Sequence, residues 1–202
     1  GPLAKIGPPL REREDNEAMW RGLDSRLIDT IASDFCGFKK SQKSTGGQSA
    51  VIEDQSEVST EASIFDASFG GNWAEQMLCV VYEEGVNNGR ITLPRLVQVM
   101  SENPAKIFGL YPQKGAIEPG SDADIVLFDP SVAHTLSAEA QHCIADFTMF
   151  EGKEVLGKPV FSMQRGEIII EDGEMKREMG NAKFLPGNRE LAAYAPSGHP
   201  VM

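Results

Sequence analysis

The stretch NPAKIFGLYPQKGAIEPGSDADIVLFDP, residues 103–130, fixes the reading of the chain. Asn103 suits a helix N-cap and Pro104 the first helical position, and Ala105, Phe108 and Leu110 give the segment an apolar side. Gly109 and Pro112 then stop it. Lys114-Gly115 and Pro119-Gly120 are turn pairs on either side of the apolar Ala116-Ile117, which predicts a small hairpin. Ile125-Val126-Leu127-Phe128, bounded by Asp124 and Asp129-Pro130, reads as a strand buried on both faces. Working outward in both directions, the rest of the chain is placed relative to this helix, turn and strand.

Upstream, Thr92 or Pro94 starts a helix through Leu96, Val97, Val99 and Met100. Before it, EQMLCVVYEEG (75–85) is helical, with Met77, Leu78, Val81 and Tyr82 on one side and Gly85 as its stop. Glu75 sits in the first turn, where its charge suits the helix dipole, and takes no catalytic part. Residues 39–69 are rich in Ser, Thr, Gly, Gln and Glu with isolated apolar positions, the composition of a long loop, which in a compact domain reads as a lid or binding loop or as disorder. IDTIASDFCGF (28–38) begins as a short buried strand at Ile28, Ile31 and Ala32 and runs into Ser33-Asp34. On the residues alone, an Asp after a strand is more often a cap or turn former than a catalytic group. From Glu12 to Thr30, Met19, Trp20, Leu23, Leu27 and Ile28 recur at helical spacing behind the capping pair Asp15-Asn16, with Gly22 as a weak point. Pro8-Pro9 in KIGPPLR (5–11) imposes an extended conformation.

Downstream, strand-like material surrounds Ile144 and Val160. Gln164-Arg165-Gly166-Glu167 predicts a hairpin leading into Ile168-Ile169-Ile170 and a second turn at Glu171-Asp172-Gly173. Gly180 to Met202 reads as a tail that orders against a neighbouring subunit.

Composition sets limits on function. The 202 residues carry 19 Lys and Arg against 30 Asp and Glu, a formal charge of -11, which argues against nucleic acid and against an anionic membrane surface as partners. A hydrophobic share of 41% is ordinary for a globular core. Cys36, Cys79 and Cys143 are scattered without CxxC spacing, as expected for reduced thiols of a cytoplasmic protein. No stretch is long or apolar enough to span a bilayer, and no leader is expected before the first structured segment.

The 103–130 string resembles the segment by which cyclic-amide hydrolases of the amidohydrolase superfamily, the dihydropyrimidinases and hydantoinases above all, leave their barrel and enter a small β-sandwich. GKPVFSMQRGEIIIEDGE (157–174) is similar to the hairpin that completes that sandwich. The resemblance implies an α/β fold: the last part of a TIM-like (β/α)8 metallo-hydrolase barrel over residues 1–112, β-sandwich strands over 113–178 and an extended tail over 179–202. A complete barrel needs about 250 residues, so the chain looks like the carboxyl-terminal portion of such an enzyme.

The same resemblance implies site residues. Relatives carry Ser/Thr-Asp-His-Cys-Pro-Phe followed by Gln-Lys, and Ser33-Asp34-Phe35-Cys36-Gly37-Phe38 with Gln42-Lys43 keeps that spacing. Asp34 inherits the proposed roles of metal ligand and general base: two divalent ions, zinc by analogy, lower the pKa of a bridging water, and the carboxylate takes its proton during attack and returns it to the leaving nitrogen. Phe35 and Gly37 depart from the pattern's histidine and proline, so the pocket beside Asp34 is altered. The other metal ligands of the family lie upstream of the matching region, and His134, His142 and His199 sit in no motif that could replace them. Gly7 occupies the serine position of a Ser-Pro-Pro-Leu-Arg string whose backbone meets the substrate ring. Counting back from Glu75 puts Phe69 at a ring-contacting asparagine, while Asn72 reaches that position only with a gap. The implied activity is hydrolysis of a small cyclic amide or imide, in a homo-oligomer (a tetramer in relatives) or together with the missing amino-terminal half. The 202-residue chain alone is expected to be inactive. The rival reading is a catalytically silent assembly protein like the collapsin response mediators, which generally lose this aspartate.

Overall fold

A computed structural model of the chain describes residues 1–44, 64–177, 180, 182–188 and 190. The expected loop therefore lies outside the described residues over 45–63, as does the tail beyond 190. The chain divides into two compact units that interleave in sequence: Gly1–Arg13, Ser33–Leu78 and His134–Val155 form one, and Glu14–Ala32, Cys79–Ala133 and Leu156–Met202 the other.

In the second unit, helix α1 (Arg13–Asp24) has Glu14 and Asp15 in its first turn and Arg21 in its last, charges of the sign each helix end favours. It ends six residues before the expected Thr30. Arg26 turns into the left-handed region (φ 66°), and the Leu27 N–H bonds the Gly22 carbonyl at 2.9 Å. The Leu23 carbonyl accepts from the Arg26 N–H at 3.3 Å and from Arg95 Nε at 2.8 Å, and Nη2 of the same guanidinium bonds the Ile28 carbonyl at 2.8 Å. A buried Arg thus ties the last turn of α1 to the segment that follows it. Nearer the start of α1, Arg90 bridges Glu17 (3.1 Å) and Glu84 (2.8 Å) with its guanidinium 5.6 Å from the centre of the Trp20 ring.

Ile28 to Ala32 form no strand. Ile31 N–H bonds the Val99 carbonyl at 3.0 Å, and the Asp29 carbonyl accepts from Asn103 Nδ2 at 2.9 Å. The segment is extended and half-buried, but its polar groups go to helical residues, because no parallel neighbour is present among the described residues to complete a ladder.

Helix α3 (Met77–Val81, following the short α2, Lys40–Ser44, described below) runs on into a wide π turn, Tyr82–Asn87, so Gly85 lies inside the helical stretch and does not stop it. Helix α4 (Leu93–Val97) starts as expected: Thr92 caps it, its hydroxyl accepting from the Arg95 N–H at 3.3 Å. The helical path then widens over Gln98–Glu102 and continues as α5 (Asn103–Ile107). Asn103 is therefore not a cap; its backbone is fully helical (φ −65°, ψ −45°) and its buried amide reaches Asp29. Gly109 (φ 66°) stops α5, with Leu110 N–H on the Ala105 carbonyl at 2.8 Å. The Gly109 carbonyl in turn accepts from Asn188 N–H at 3.0 Å, so this part of the tail orders against its own chain.

Residues 113–124 make turns and no hairpin. Ala116-Ile117 is too short for a ladder, and Ile117 is 88% exposed. Lys114 closes the segment instead, bonding Asp122 at 2.9 Å and Asp124. A four-stranded sheet follows, in the order β1 (Ile125–Thr135), β2 (Glu154–Gln164), β3 (Glu167–Glu171), β4 (Glu174–Met175). The hairpin expected at Gln164–Glu167 forms: β2 and β3 are antiparallel with Gln164 opposite Glu167 and a bulge between Ser162 and Met163. Arg165 and Gly166 (φ 48° and 83°) adopt the left-handed pair that a two-residue hairpin demands, and Asp172-Gly173 repeat it (φ 52° and 82°). The residues around Ile144, expected as strand, form none. Nor is β1 buried on both faces: Phe128 packs on Tyr82 with ring centroids 4.6 Å apart, but Val126 and Leu127 are about half exposed, since no second layer covers them among the described residues.

Candidate active site

All four sequence-predicted site residues fall in the first unit. Asp34 lies at an exposed turn with a left-handed backbone (φ 44°), a conformation that Asp tolerates better than most residues. No described residue bonds its carboxylate. Its neighbours hold it in place: the Ser33 carbonyl accepts from Trp73 Nε1 at 2.5 Å, Cys36 N–H bonds the Gly71 carbonyl at 3.4 Å, and Asn72 takes both main-chain groups of Phe38. In that last pair Oδ1 accepts the Phe38 N–H at 3.1 Å and Nδ2 donates to the Phe38 carbonyl at 3.0 Å. Segments 33–38 and 70–73 are thus laced together, and the Asp–Phe–Cys–Gly segment becomes a platform for a carboxylate free of partners among the described residues.

Asn72 itself is fully buried, and its amide also reaches the Phe147 carbonyl at 3.2 Å. Its side chain is spent inside the fold. Phe69 is 61% exposed and lies against Gly7: a Cβ on Gly7 would stand 3.3 Å from Phe69 Cδ1, tighter than most carbon contacts. Lys5 lies over the same ring, its ammonium 4.6 Å from the centroid and bonded to the Phe65 carbonyl at 2.8 Å. Two positions 62 residues apart in sequence therefore meet as one surface, with glycine allowing the aromatic ring its close approach.

Behind this surface is a group that the residues alone did not single out for a role. Lys43, on the short helix α2, has no exposed area, and its ammonium donates to the carbonyls of Lys5 (2.5 Å), Ser68 (2.7 Å) and Gly70. Burial pushes its pKa below the usual lysine value, with the adjoining Cys36 opposing and Lys5 adding to the shift. The sequence offered only the Gln42-Lys43 spacing; the three acceptors are main-chain atoms, invisible to any side-chain pattern. Elsewhere in the unit, Glu75 accepts from the His142 N–H at 2.8 Å and meets its ring Nδ1 at 2.7 Å, an anchoring pair for the 134–155 stretch.

The amidohydrolase family pattern matches residues 10–159 of this chain, and the chain belongs to that family. It is 36% identical over 185 residues to an L-hydantoinase of Paenarthrobacter aurescens, covering 92% of this chain and 37% of the relative. It is 36% identical over 182 residues to the dihydropyrimidinase of Rattus norvegicus, covering 90% of this chain and 32% of that one. Among solved structures, D-hydantoinase from Bacillus sp. AR9 superposes with a TM-score of 0.77 at 36% identity, over 87% of this chain and 36% of that enzyme. The chain therefore spans about a third of the length of the relatives it matches.

Members of this family generally use divalent metals. Among the described residues no group of three or more His, Cys, Asp and Glu side chains is gathered to hold one. Asp34 supplies a single carboxylate, and one exposed oxygen donor does not fit a structural or catalytic centre of several ligands. No described helix is long and apolar enough to cross a membrane.

Proposed function

We propose that this chain carries the general base and part of the ring-binding wall of a cyclic-amide hydrolase of the dihydropyrimidinase or hydantoinase type. The observation that carries the reading is Asp34: a carboxylate free of partners among the described residues, on a segment fixed from both sides by Trp73 and Asn72, in a chain of this family whose Ser33-Asp34 and Gln42-Lys43 spacing resembles the pattern of its relatives. In this reading Asp34 takes a proton from the water that attacks the ring carbonyl and passes it to the departing ring nitrogen, opening the endocyclic C–N bond. Gly7 offers main-chain contacts to the amide edge of the ring, Phe69 offers an aromatic face, and Asn72 serves from behind by fixing Phe38. Metal ligation by Asp34 belongs to the same proposal, but it needs further ligands that the described residues do not bring together. The functional boundary near residue 112, between barrel-derived segments and sandwich strands, is likewise proposed from the family resemblance.

Asp34→Asn in the complete protein tests the assignment, because it removes the base with almost no change in volume. Loss of a general base lowers turnover by a factor of roughly a hundred to ten thousand. Hydrolysis of dihydrouracil or hydantoin that stays near the parent rate in a folded variant reduces Asp34 to a turn residue.

We also propose that the sheet is covered by further protein, either a second copy of the chain or the remainder of a complete enzyme. Val126 (50% exposed), Leu127 (54%), Leu156 (42%) and Ile168 (40%) are left open on its strands. Sedimentation at micromolar concentration is expected to show an oligomer; one monomeric species that binds no apolar dye would refute this.

A further inference from the structure

Lys43 is the one fully buried cation of the described first unit, and the proposed reaction does not use it. Its three acceptors are not scattered. The Ser68 and Gly70 carbonyls flank Phe69 on both sides, and the Lys5 carbonyl lies two residues before Gly7. The Lys43 main chain adds to this, its carbonyl accepting from the Ser68 N–H at 3.2 Å, while the Gly70 N–H bonds the Lys5 carbonyl at 3.2 Å. The helix that presents Lys43 is itself anchored at its start: Lys39 N–H bonds Gln42 Oε1 at 3.0 Å, and Lys40 N–H bonds Asp146 Oδ1 at 2.7 Å.

We infer that Lys43 is the positioning residue of the ring-binding wall, its ammonium holding the Gly7 and Phe69 segments together so that the aromatic face stands where a planar ring meets it. The inference rests on the reading of Gly7 and Phe69 as substrate contacts. The chemistry favours lysine at this place. Three carbonyls converge on one point, and a compact ammonium supplies three donors there, each bond strengthened by its charge. Glutamine and methionine are both one atom shorter, and glutamine has two donors while methionine has none. Arginine keeps charge and donors but spreads them over a plane that a point-like nest accommodates poorly.

The test compares Lys43→Met, Lys43→Arg, Phe69→Ala and the Lys43→Met/Phe69→Ala double variant in the complete protein, with dihydrouracil and hydantoin as substrates. Lys43→Met is expected to raise KM about tenfold with kcat per folded site nearly unchanged, the signature of lost uniform binding. Phe69→Ala should raise KM similarly, and the double variant should be no worse than either single one, because both disable the same surface. Lys43→Arg should fall between parent and Met, and it keeps the test decisive where the Met variant does not fold. Amide exchange over residues 64–72 gives a readout that needs no turnover, and it should speed up in Lys43→Met. KM that rises for Phe69→Ala but not for the Lys43 variants, or exchange that does not change, overturns the positioning role and leaves the proposed function standing. KM indifferent to Phe69→Ala, with exchange accelerated in Lys43→Met, overturns the ring-binding reading and with it this inference.

Discussion

Between Ser33 and Trp73 the described chain is held by side chains that reach uncharged, partly or fully buried main-chain groups: Asn72 on Phe38 and Phe147, Trp73 on Ser33, Lys43 on three carbonyls. From Pro112 to Ala133 and from Leu156 to Met175 the bonds are of another kind. Strand ladders, two tight turns and partly exposed ion pairs such as Lys114 with Asp122 and Asp124 hold that region. Each region contains one lysine with several partners, and the two respond oppositely. Lys43 has only neutral acceptors and is desolvated, so its pKa is lowered. Burial would lower that of Lys114 as well, but hydrogen bonds to Asp122 and Asp124 more than reverse this, and its pKa is raised. The loop-built platform is thus stabilised by satisfied burial, where deleting one partner strands others. The sheet region is stabilised by redundancy, where deleting one partner leaves a substitute in water.

The sharpest way to break this contrast is Asn72→Leu. The replacement is apolar and of similar length, and it orphans the part-buried N–H and carbonyl of Phe38 and the buried Phe147 carbonyl, all three facing a side chain that itself has no exposed area. At about 1–3 kcal/mol for each buried group left unpaired, partly relieved by local shifts, the expected loss is about 3–5 kcal/mol, the largest effect predicted here. It should appear as a lowered thermal midpoint together with loss of whatever activity depends on Asp34, since Phe38 and Asp34 share one laced segment. A loss below about 1 kcal/mol would mean that water or a rearranged loop takes over the three bonds, and the two regions would then not differ in kind.

The contrast also explains what the sequence could say. A helix start at Thr92 or Pro94 and Arg165-Gly166 as a hairpin turn were legible, because each depends on residues a few positions away. The family, too, was legible from residues 103–130 and from the spacing of Ser33-Asp34 with Gln42-Lys43. Asn103 reads as a cap for the same local reason, but the helix arriving from Leu93 overrides it, and its amide goes to Asp29, 74 positions away. Ile28 to Ala32 have strand-forming residues, yet a strand exists only with a partner, and their polar groups go to Val99, Arg95 and Asn103. The burial of Val126 and Leu127 was expected from an unbroken apolar run, but burial needs a facing layer, and among the described residues none covers them. Lys43 was beyond reach altogether: its acceptors are the main chain at residues 5, 68 and 70, and backbone carbonyls leave no trace in residue identity.

The smallest effect should come from Asp122→Asn, and its dependence on pH sharpens the comparison. Asp122 accepts from Lys114 and, at 3.2 Å, from Gln113 Nε2, and the Lys114 hydrogen bond first of all holds its pKa below the ordinary value of 3.8. A carboxylate whose folded pKa is depressed contributes stability that is fully present above its unfolded pKa and is lost as pH falls through the lower, folded one. Near neutrality the variant should therefore melt slightly below the parent. As pH drops below about 4 the gap should close, because the parent then protonates the same oxygen that the amide has replaced. Asp124 remains bonded to Lys114 and accepts the Arg165 N–H at 2.8 Å, so the turn stays closed and the difference stays small. Thermal midpoints of parent and variant measured from pH 7 to pH 3 decide the matter. A gap of constant size would show that Asp122 acts through the shape of the 113–124 turn and not through its charge, and the redundancy ascribed to the sheet region would lose its electrostatic basis.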